Sequence, residues 1–195
     1  MDGKRAKELE KALVGSAIGG WVLRKRLGHG ASAVVFEATR EGRTGALKLF
    51  DPEFVRTLGR EEQLGRIERE LRLRGVSHPN LVLILDGGAC PETGHLFVVM
   101  TCLRCANLSQ LRPAFPREAI WPIIAQVAGA ARFLESLNLV HRDIKPSNVA
   151  VSKDYRNAVL LDFGVVRPPG CGDLTDTRHK SFVGTYQYGS PEFVT

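Results

Sequence analysis

Residues 21–50 contain three consecutive stretches in which apolar and polar side chains alternate with a period of two: WVLRKRLG, AVVFEATR and GALKLF. This period is typical of β-strands, because successive side chains point to opposite faces of a sheet. Turn-rich joints separate the stretches, GHGAS at residues 28–32 and REGRTG at residues 40–45. The segment therefore predicts an antiparallel meander of three strands.

Further elements are predicted on both sides of the meander. Residues 4–14 have the composition of a helix, which the glycines of residues 15–20 end, and the charged residues 53–75 predict one longer helix. Residues 81–89 and 94–103 predict a second antiparallel pair of strands. Together these segments would form a small, sheet-rich lobe.

The rest of the chain is predicted to be mainly helical. Residues 117–137 predict a long helix, and residues 149–152 and 158–161 are two short strand candidates. The helix is expected to bury a stripe made of Ile120, Ile123, Ile124, Val127, Ala131 and Leu134. The order of elements predicts an α+β fold, with a five-stranded antiparallel lobe carrying one helix, followed by a mainly helical lobe.

Composition and charge exclude several classes of protein. The net charge of +6 is modest, so a solvated basic surface is a sufficient explanation and no nucleic-acid partner is expected. The four cysteines have neither the density of a disulfide framework nor the spacing of a zinc site. No apolar run approaches the ~20 residues of a membrane span, and the N-terminus lacks the apolar stretch of a signal peptide. These features favour a cytoplasmic location.

The octapeptide HRDIKPSN at residues 141–148, followed by a DFG that begins at Asp162, contains the groups that phosphoryl transfer requires. Asp143 can accept the proton of an attacking hydroxyl, and Lys145 can neutralise the moving phosphoryl group. Asn148 and Asp162 carry the oxygen ligands that Mg²⁺ prefers. We therefore expect Asp143 and Lys145 to be catalytic and Asn148 and Asp162 to bind the metal.

Two features of the meander suit a phosphate ligand. Gly28 and Gly30 begin a GxGxxG-like loop with Ala33 in the third glycine position, and glycines let backbone N–H groups approach phosphates. A strand rather than a helix follows, which argues against a dinucleotide-binding fold and leaves a plain hairpin turn as the alternative. Lys48 lies between apolar neighbours on a strand and needs an anionic partner, unless it lies at an edge and reaches solvent.

In combination, these motifs make the sequence similar to the eukaryotic-type protein kinase family over residues 21–192. The position of Lys145, two residues after Asp143, resembles the serine/threonine branch. The resemblance implies a protein-kinase-like fold and transfer of the ATP γ-phosphoryl group to a Ser or Thr of a protein substrate, with Asp143 as the base and Mg²⁺ as cofactor. Lys48 would also be catalytic. The implied nucleotide-binding residues are Leu27, Gly28, His29, Gly30, Val35, Ala46, Lys48, Glu70, Thr101, Leu103, Asn148 and Asp162.

Other roles follow from the resemblance alone. Lys48 would pair with a helix glutamate, for which Glu70 is the better candidate and Glu68 the alternative. Met100 falls at the gatekeeper position, and backbone groups of Thr101 and Leu103 would bind adenine.

The resemblance also implies regulation. Arg142 implies control by phosphorylation of the segment between DFG and the SPE at residues 190–192, since a phosphate of about −2 charge could pair with it. The candidate hydroxyls are Thr175, Thr177, Ser181 and Thr185, and for Thr185 we prefer a role in positioning the catalytic loop. His141 and Phe163 are expected to pack rather than to react.

The resemblance divides the chain into an N-terminal helical extension, residues 1–20, and a kinase domain, residues 21–195, with lobes at 21–102 and 103–195. Family members usually continue with further helices, so the helical lobe is expected to be incomplete. The apolar stripe of the long helix and three apolar residues of the catalytic loop would then lack part of their cover, which a partner could supply: Ile144, Val149 and Val151. The alternative function is a truncated kinase-like module that binds nucleotide or a partner without useful turnover. A small-molecule phosphotransferase is a weaker third hypothesis.

Overall fold

The structure is a computed structural model that describes residues 1–111, 115–163 and 188. The chain forms two compact units, one made of Met1–Val76 with Leu83–Leu103 and the other of Ser77–Val82 with Arg104–Thr195. The lobe boundaries given above stay a prediction. Several residues singled out in the sequence lie outside the described residues: Gly164, Cys171, Thr175, Thr177, Ser181, Thr185, Ser190, Pro191 and Glu192.

The first unit is built on a six-stranded antiparallel sheet. Its strands are β1 (Ala17–Ile18), β2 (Trp21–His29), β3 (Ala33–Arg40), β4 (Arg43–Phe50), β5 (Ile84–Ala89) and β6 (Leu96–Thr101). Their spatial order is β1-β2-β3-β4-β6-β5. The predicted meander is confirmed as β2, β3 and β4, which pair in sequence order.

The prediction of five strands is one short, because β1 lies in the glycine-rich segment that was expected only to end a helix. Ala17 pairs with Val22 and Ile18 with Trp21. The turn between them is Gly19-Gly20, with φ values of +54° and +78°. Positive φ at both central residues is the requirement of a tight two-residue hairpin turn, and glycine adopts it without a steric penalty.

The first unit contains three helices: α1 (Gly3–Leu13), α2 (Pro52–Leu58) and α3 (Arg60–Leu71). The single helix predicted over residues 53–75 was wrong, because Gly59 has a φ of +92° and separates α2 from α3. The carboxylate of Asp51 caps α2 by accepting the backbone N–H of Glu53 at 3.1 Å.

The two faces of the sheet are packed differently. Val34 and Phe36 on β3 and Leu47 and Leu49 on β4 share one face and form a buried cluster that also contains Ala6 and Leu9 of α1. Val35 and Lys48, which alternate with them, therefore share the opposite face. Helix α1 thus covers the face of the sheet that points away from Lys48.

The second unit contains a small three-stranded sheet and the long helix. Its strands β7 (Ala106–Asn107), β8 (Val149–Val151) and β9 (Ala158–Leu160) are antiparallel, with β8 in the centre. Its helices are α4 (Leu108–Leu111) and α5 (Ile120–Ser136), with short 3₁₀ turns at Arg117–Ala119 and Pro146–Asn148. The strand candidates at residues 149–152 and 158–161 are confirmed, whereas β7 is two residues long and had no signal in the sequence.

Burial in this unit agrees only in part with the predictions. In the stripe of α5, Ile123 and Leu134 are buried, whereas Ile120 and Ile124 are 40% and 50% exposed, in line with the expectation that the stripe lacks part of its cover. By contrast, Val149 and Val151 were expected to lack part of their cover and are buried, because they lie on the central strand of the small sheet. Within the described parts of the chain, no helix has the length and apolar character that a membrane span needs.

Candidate active site

The loop between α5 and β8 brings three of the predicted catalytic residues together. Lys145 Nζ lies 2.7 Å from Asp143 Oδ2. Asn148 Nδ2 donates to the same carboxylate oxygen at 3.0 Å and to the backbone carbonyl of Asp143 at 2.9 Å. Asn148 is 8% exposed, and its backbone N–H donates to the Lys145 carbonyl at 2.9 Å. The loop thus holds one carboxylate between an ammonium group and an amide.

Two residues of this region have backbone conformations that cost energy. Arg142 and Asp162 have φ values of +62° and +61°, in the left-handed region that non-glycine residues seldom adopt. Each such residue costs on the order of 1–3 kcal/mol, which the surrounding contacts must offset. Strain of this kind is concentrated at functional sites, so it supports a chemical role for this region.

His141 supports the loop from within the second unit. It is 2% exposed, its Nε2 lies 3.1 Å from the carbonyl oxygen of Leu161, and its Nδ1 accepts the backbone N–H of Asp143 at 3.4 Å. Its ring packs edge-on against Phe163, with the centroids 5.8 Å apart. Burial lowers the pKa of His141 from its ordinary value, which favours a neutral imidazole with its proton on Nε2. These contacts fit the packing role expected for His141 and Phe163.

Strand β9 fixes the position of Asp162 through pairing on both of its sides. On one side it pairs with β8, and the Leu161 N–H donates to the Asn148 carbonyl at 2.8 Å. On the other side, the Leu160 N–H donates to the Asn80 carbonyl at 2.8 Å. Asp162 directly follows Leu161. The hydrogen bond from the Leu161 N–H to the Asn148 carbonyl therefore keeps the two predicted metal ligands, Asn148 and Asp162, close to each other.

Asn80 and Gln126 support this arrangement, and neither role was predicted from the sequence. Asn80 Nδ2 donates to the Ala158 carbonyl at 2.8 Å and to Gln126 Oε1 at 2.9 Å. Gln126 Oε1 also accepts the Ala158 N–H at 2.8 Å, and Gln126 Nε2 donates to the Arg156 carbonyl at 2.8 Å. Their partners are backbone groups distant in sequence, so no local pattern could reveal them.

In the first unit, the strand register aligns the predicted nucleotide-binding residues of the sheet in one row. Gly28 lies opposite Val35, Val35 opposite Lys48, and Lys48 opposite Val98. Residues paired in this way share a face of the sheet. On the same face, Ala46 lies opposite Met100. Lys48 Nζ also lies 5.3 Å from the ring centroid of Phe50.

Neither steric crowding nor a positive φ requires the glycines of the glycine-rich turn, residues 28–33. Leu27 falls where the register between β2 and β3 shifts, and it is 44% exposed. A Cβ added to Gly28 or Gly30 would meet nothing within 4 Å, and neither glycine has a positive φ. By contrast, a Cβ at Gly45 would lie 2.6 Å from Val99. Protein packing therefore explains the glycine at position 45 but not those at positions 28 and 30.

The two candidate glutamates of α3 lie in different surroundings. Glu70 is 1% exposed, whereas Glu68 is exposed. Next to Glu70, Leu71 lies against Gly87, where an added Cβ would come within 3.1 Å of its Cδ2. Gly87 is paired with Val98, which in turn lies opposite Lys48, so the end of α3 packs on the same face of the sheet as Lys48. A fully buried carboxylate requires a cation or strong hydrogen-bond donors.

Comparison with known proteins agrees with this geometry. A family model described as the protein kinase domain matches residues 21–195. The chain belongs to the protein kinase family. Membership of the kinase family implies the use of ATP and, usually, of Mg²⁺.

Proteins similar to this chain include serine/threonine-protein kinases of mycobacteria. The chain is 37% identical to PknD of Mycobacterium tuberculosis, covering 93% of this chain and 27% of PknD. It is 32% identical to PknH of Mycobacterium bovis, covering 95% of this chain and 31% of PknH. The chain thus spans about a third or less of the length of these kinases.

Solved kinase structures have the same fold. The kinase domain of PknI from M. tuberculosis aligns with a TM-score of 0.67 at 26% identity, covering 78% of this chain and 61% of the PknI chain. The protein-kinase-like α+β fold expected from the sequence is therefore confirmed.

Proposed function

We propose that this chain carries out ATP-dependent phosphorylation of serine and threonine residues in a protein substrate. The observation that carries this proposal is the convergence of Lys145 and Asn148 on one oxygen of Asp143, at 2.7 and 3.0 Å. A carboxylate held in this way is oriented before the substrate arrives, which reduces the reorganisation that the reaction would otherwise require.

In the proposed reaction, a carboxylate oxygen of Asp143 accepts the proton of the substrate hydroxyl. The hydroxyl oxygen forms a bond to the γ-phosphorus, and the bond from that phosphorus to the bridging oxygen breaks, so that ADP leaves with the electron pair. Lys145 is positioned beside Asp143 to offset the negative charge of the transferring group. Arg142 is the candidate partner for a regulatory phosphate.

Asn148 and Asp162 would hold Mg²⁺, whose chemistry is to neutralise phosphate oxygens. The donor set fits a hard cation, because both side chains supply oxygen. Asn148 Nδ2 faces Asp143, which directs the other branch of the amide, Oδ1, away from that carboxylate. The hydrogen bond from Leu161 to Asn148 supports the adjacency of the two ligands.

In the first unit, we propose that Lys48 and Glu70 form an ion pair that places Lys48 on the nucleotide phosphates. The burial of Glu70 and the packing of α3 on the Lys48 face support Glu70 over Glu68. The open space at Gly28 and Gly30 supports the turn that also contains His29 as the place where phosphates approach the backbone.

Adenine would lie against three apolar side chains near Lys48, those of Leu27, Val35 and Ala46. Leu103 and Thr101 would supply backbone groups. The N–H of Thr101 donates to the Leu83 carbonyl at 2.9 Å, so the carbonyl of Thr101 is the group that we propose for adenine.

We also propose a cytoplasmic location. ATP and a reducing environment are both available there. Among the described residues, Cys90, Cys102 and Cys105 form no disulfide, which supports such a compartment.

The test is Mg²⁺-dependent transfer of labelled γ-phosphate from ATP to a mixture of dephosphorylated proteins, followed by identification of the phosphorylated amino acid. We expect phosphoserine or phosphothreonine, and loss of the label with Asp143→Asn. The matched control is Asp154→Asn, because Asp154 lies in the exposed turn between β8 and β9 and bonds only locally, to Ser152 and the Arg156 N–H. A wild-type chain no more active than Asp143→Asn would refute the enzymatic function.

A second candidate is a kinase-like module that binds nucleotide or a partner without useful turnover. It is favoured by the apolar surface of α5, where Trp121 is 76% exposed and Ile124 is 50% exposed. A partner protein could cover this surface. Nucleotide binding detected as a thermal shift, with no transfer above the Asp143→Asn variant, would support this candidate over the kinase.

A further inference from the structure

Helix α1 precedes the matched kinase domain and packs directly on its sheet. Ala6 is fully buried and Leu9 is 7% exposed, and both belong to the same cluster as Phe36 and Leu47. The helix is capped at its start by Asp2, whose carboxylate accepts the Arg5 N–H at 2.8 Å. It lies on the face opposite Lys48, so it cannot act on a nucleotide there by direct contact.

An ion pair connects α1 to the strand that leads into the glycine-rich turn. Arg26 Nε donates to Glu10 Oε2 at 2.9 Å. Arg26 lies on β2, two residues before Gly28, next to the register shift at Leu27. The two side chains are 25% and 35% exposed, so the pair is partly shielded from solvent.

A second ion pair connects α1 to the far side of the same turn. Arg5 Nη2 donates to Asp51 Oδ1 at 3.3 Å, and the Asp51 side chain is only 7% exposed. The backbone N–H of Asp51 in turn donates to the Ser32 carbonyl at 2.9 Å. Asp51 therefore joins α1 to the end of the turn.

The pairing of β2 with β3 extends up to the turn, with Gly28 opposite Val35 and His29 opposite Val34. A backbone hydrogen bond from the Gly30 N–H to the Ala33 carbonyl at 2.9 Å closes the turn, and the space around Gly28 and Gly30 is open. The backbone nitrogen of Met1 also contacts the carbonyl of Ala31, and Gly3 lies beside the ring of His29. Contacts from Met1 and α1 thus reach residues before and within the turn, and Asp51 links α1 to the end of the turn.

We infer that α1 is a positioning element for the glycine-rich turn and that Arg5 and Glu10 are positioning residues that set the affinity for the nucleotide. The inference rests on the proposed function insofar as the turn binds phosphates. Loss of either ion pair would let the turn adopt conformations that do not bind the nucleotide. The apparent affinity for the nucleotide falls in proportion to the fraction of molecules whose turn is in the binding conformation. Neither ion pair includes Lys48 or the residues proposed to accept the proton and hold the metal, so the rate at saturating ATP would stay unchanged.

The test uses Arg5→Gln, Glu10→Gln and their combination in the full chain. Each variant should raise the KM for Mg-ATP by about two- to fivefold, the range that such ion pairs support, with kcat retained. Arg5→Lys should restore the affinity, and so should the charge swap of Glu10→Arg combined with Arg26→Glu. The matched control is Lys7→Gln, since Lys7 lies on the exposed side of the same helix.

A second measurement separates this inference from the proposed function. In the chain without nucleotide, amide hydrogen exchange of Gly30 and Asp51, which bond to Ala33 and Ser32, should accelerate by a similar factor in both variants. Strand amides of β3 and β4 should exchange as in the wild type. Unchanged exchange at Gly30 and Asp51, or equal changes in Lys7→Gln, would overturn the positioning role even in an active kinase. A wild-type chain that binds no Mg-ATP would contradict the proposed function and the nucleotide part of the inference, and the exchange rates would still decide whether α1 holds the turn.

Discussion

The helices α1 and α5 belong to different units and differ in how completely their apolar residues are covered. In α1, Ala6 and Leu9 are buried against the sheet, and Leu13 packs there while partly buried. In α5, Ile123 and Leu134 are buried, whereas Trp121 and Ile124 are mostly exposed. An apolar stripe in a sequence therefore identifies a surface suited to burial, but it does not show that the surface is covered.

The units also differ in an ionisable group whose pKa is shifted by its surroundings. The first unit contains the partly buried Asp86, which accepts the Trp21 Nε1–H at 3.0 Å and the Gly87 N–H at 2.9 Å and forms an ion pair with Arg40. The second contains His141, a buried imidazole in the loop that also contains Asp143. One group is needed charged and the other neutral, so the units should respond differently to acid.

The largest expected effect is on the core of the first unit. Phe36→Ala removes a fully buried ring from the centre of the sheet and should lower the free energy of unfolding by about 3–5 kcal/mol. Urea unfolding monitored by circular dichroism measures this loss. A loss below about 1 kcal/mol would mean that α1 and the sheet are not packed as described.

The second expected effect concerns the charged network of the same unit. Asp86→Asn keeps the shape but removes the charge, and it should lower stability by about 1–3 kcal/mol. Burial raises the pKa of Asp86, but hydrogen bonds from Trp21, Gly87 and Arg40 outweigh it and hold the pKa below its ordinary value of 3.8. The stabilisation is therefore present above pH 3.8 and is lost as the pH falls through the lower folded-state pKa. Equal stability of Asp86→Asn and wild type at neutral pH would exclude this network as a stabilising feature.

The third prediction is that His141 makes stability depend on pH in a higher pH range than Asp86 does. Because burial lowers its pKa in the folded state, the unfolded state binds more protons between that value and 6.5. Stability should therefore decline as the pH falls from 6.5, and this part of the decline should be absent in His141→Gln. The measurement is the difference in unfolding free energy between neutral and mildly acidic buffer in each protein. A decline of the same size in both proteins would assign it to other groups.

The smallest expected effect is on the uncovered face of α5. Ile124→Ser should change stability by no more than about 0.5 kcal/mol, since the side chain is half exposed and its removal leaves no cavity. It should also reduce self-association in analytical ultracentrifugation, because the apolar surface becomes smaller. A destabilisation as large as that of Phe36→Ala would show that Ile124 is buried and that α1 and α5 do not differ in the burial of their apolar residues.

The sequence predicted those parts of the fold in which local chemistry and packing agree. The meander was predictable because apolar and polar side chains alternate along its three stretches and turn-rich joints separate them. The division of α2 from α3 depends on the positive φ of Gly59. The exposure of Ile120 depends on tertiary packing around α5. Neither property is a local feature of the sequence.

At the candidate site, the residue types were predictable but their support was not. The grouping of Asp143, Lys145 and Asn148 follows from the octapeptide, since they lie within six residues of one another. The positive φ of Asp162 and the two-sided pairing of β9 depend on residues distant in sequence, such as Asn80. The ion pairs of Arg5 with Asp51 and of Glu10 with Arg26 were not predictable either, because charged residues on a helix are ordinarily solvated.

The most direct test of the central claim separates binding from chemistry at Asp143. The dissociation constant of Mg-ATP, measured by calorimetry, and the single-turnover rate of phosphoryl transfer should be determined for wild type and Asp143→Asn. We predict binding within about threefold and a rate about 10²–10⁴-fold lower in the variant, the usual contribution of a general base. Equal transfer rates in the two proteins would contradict the account.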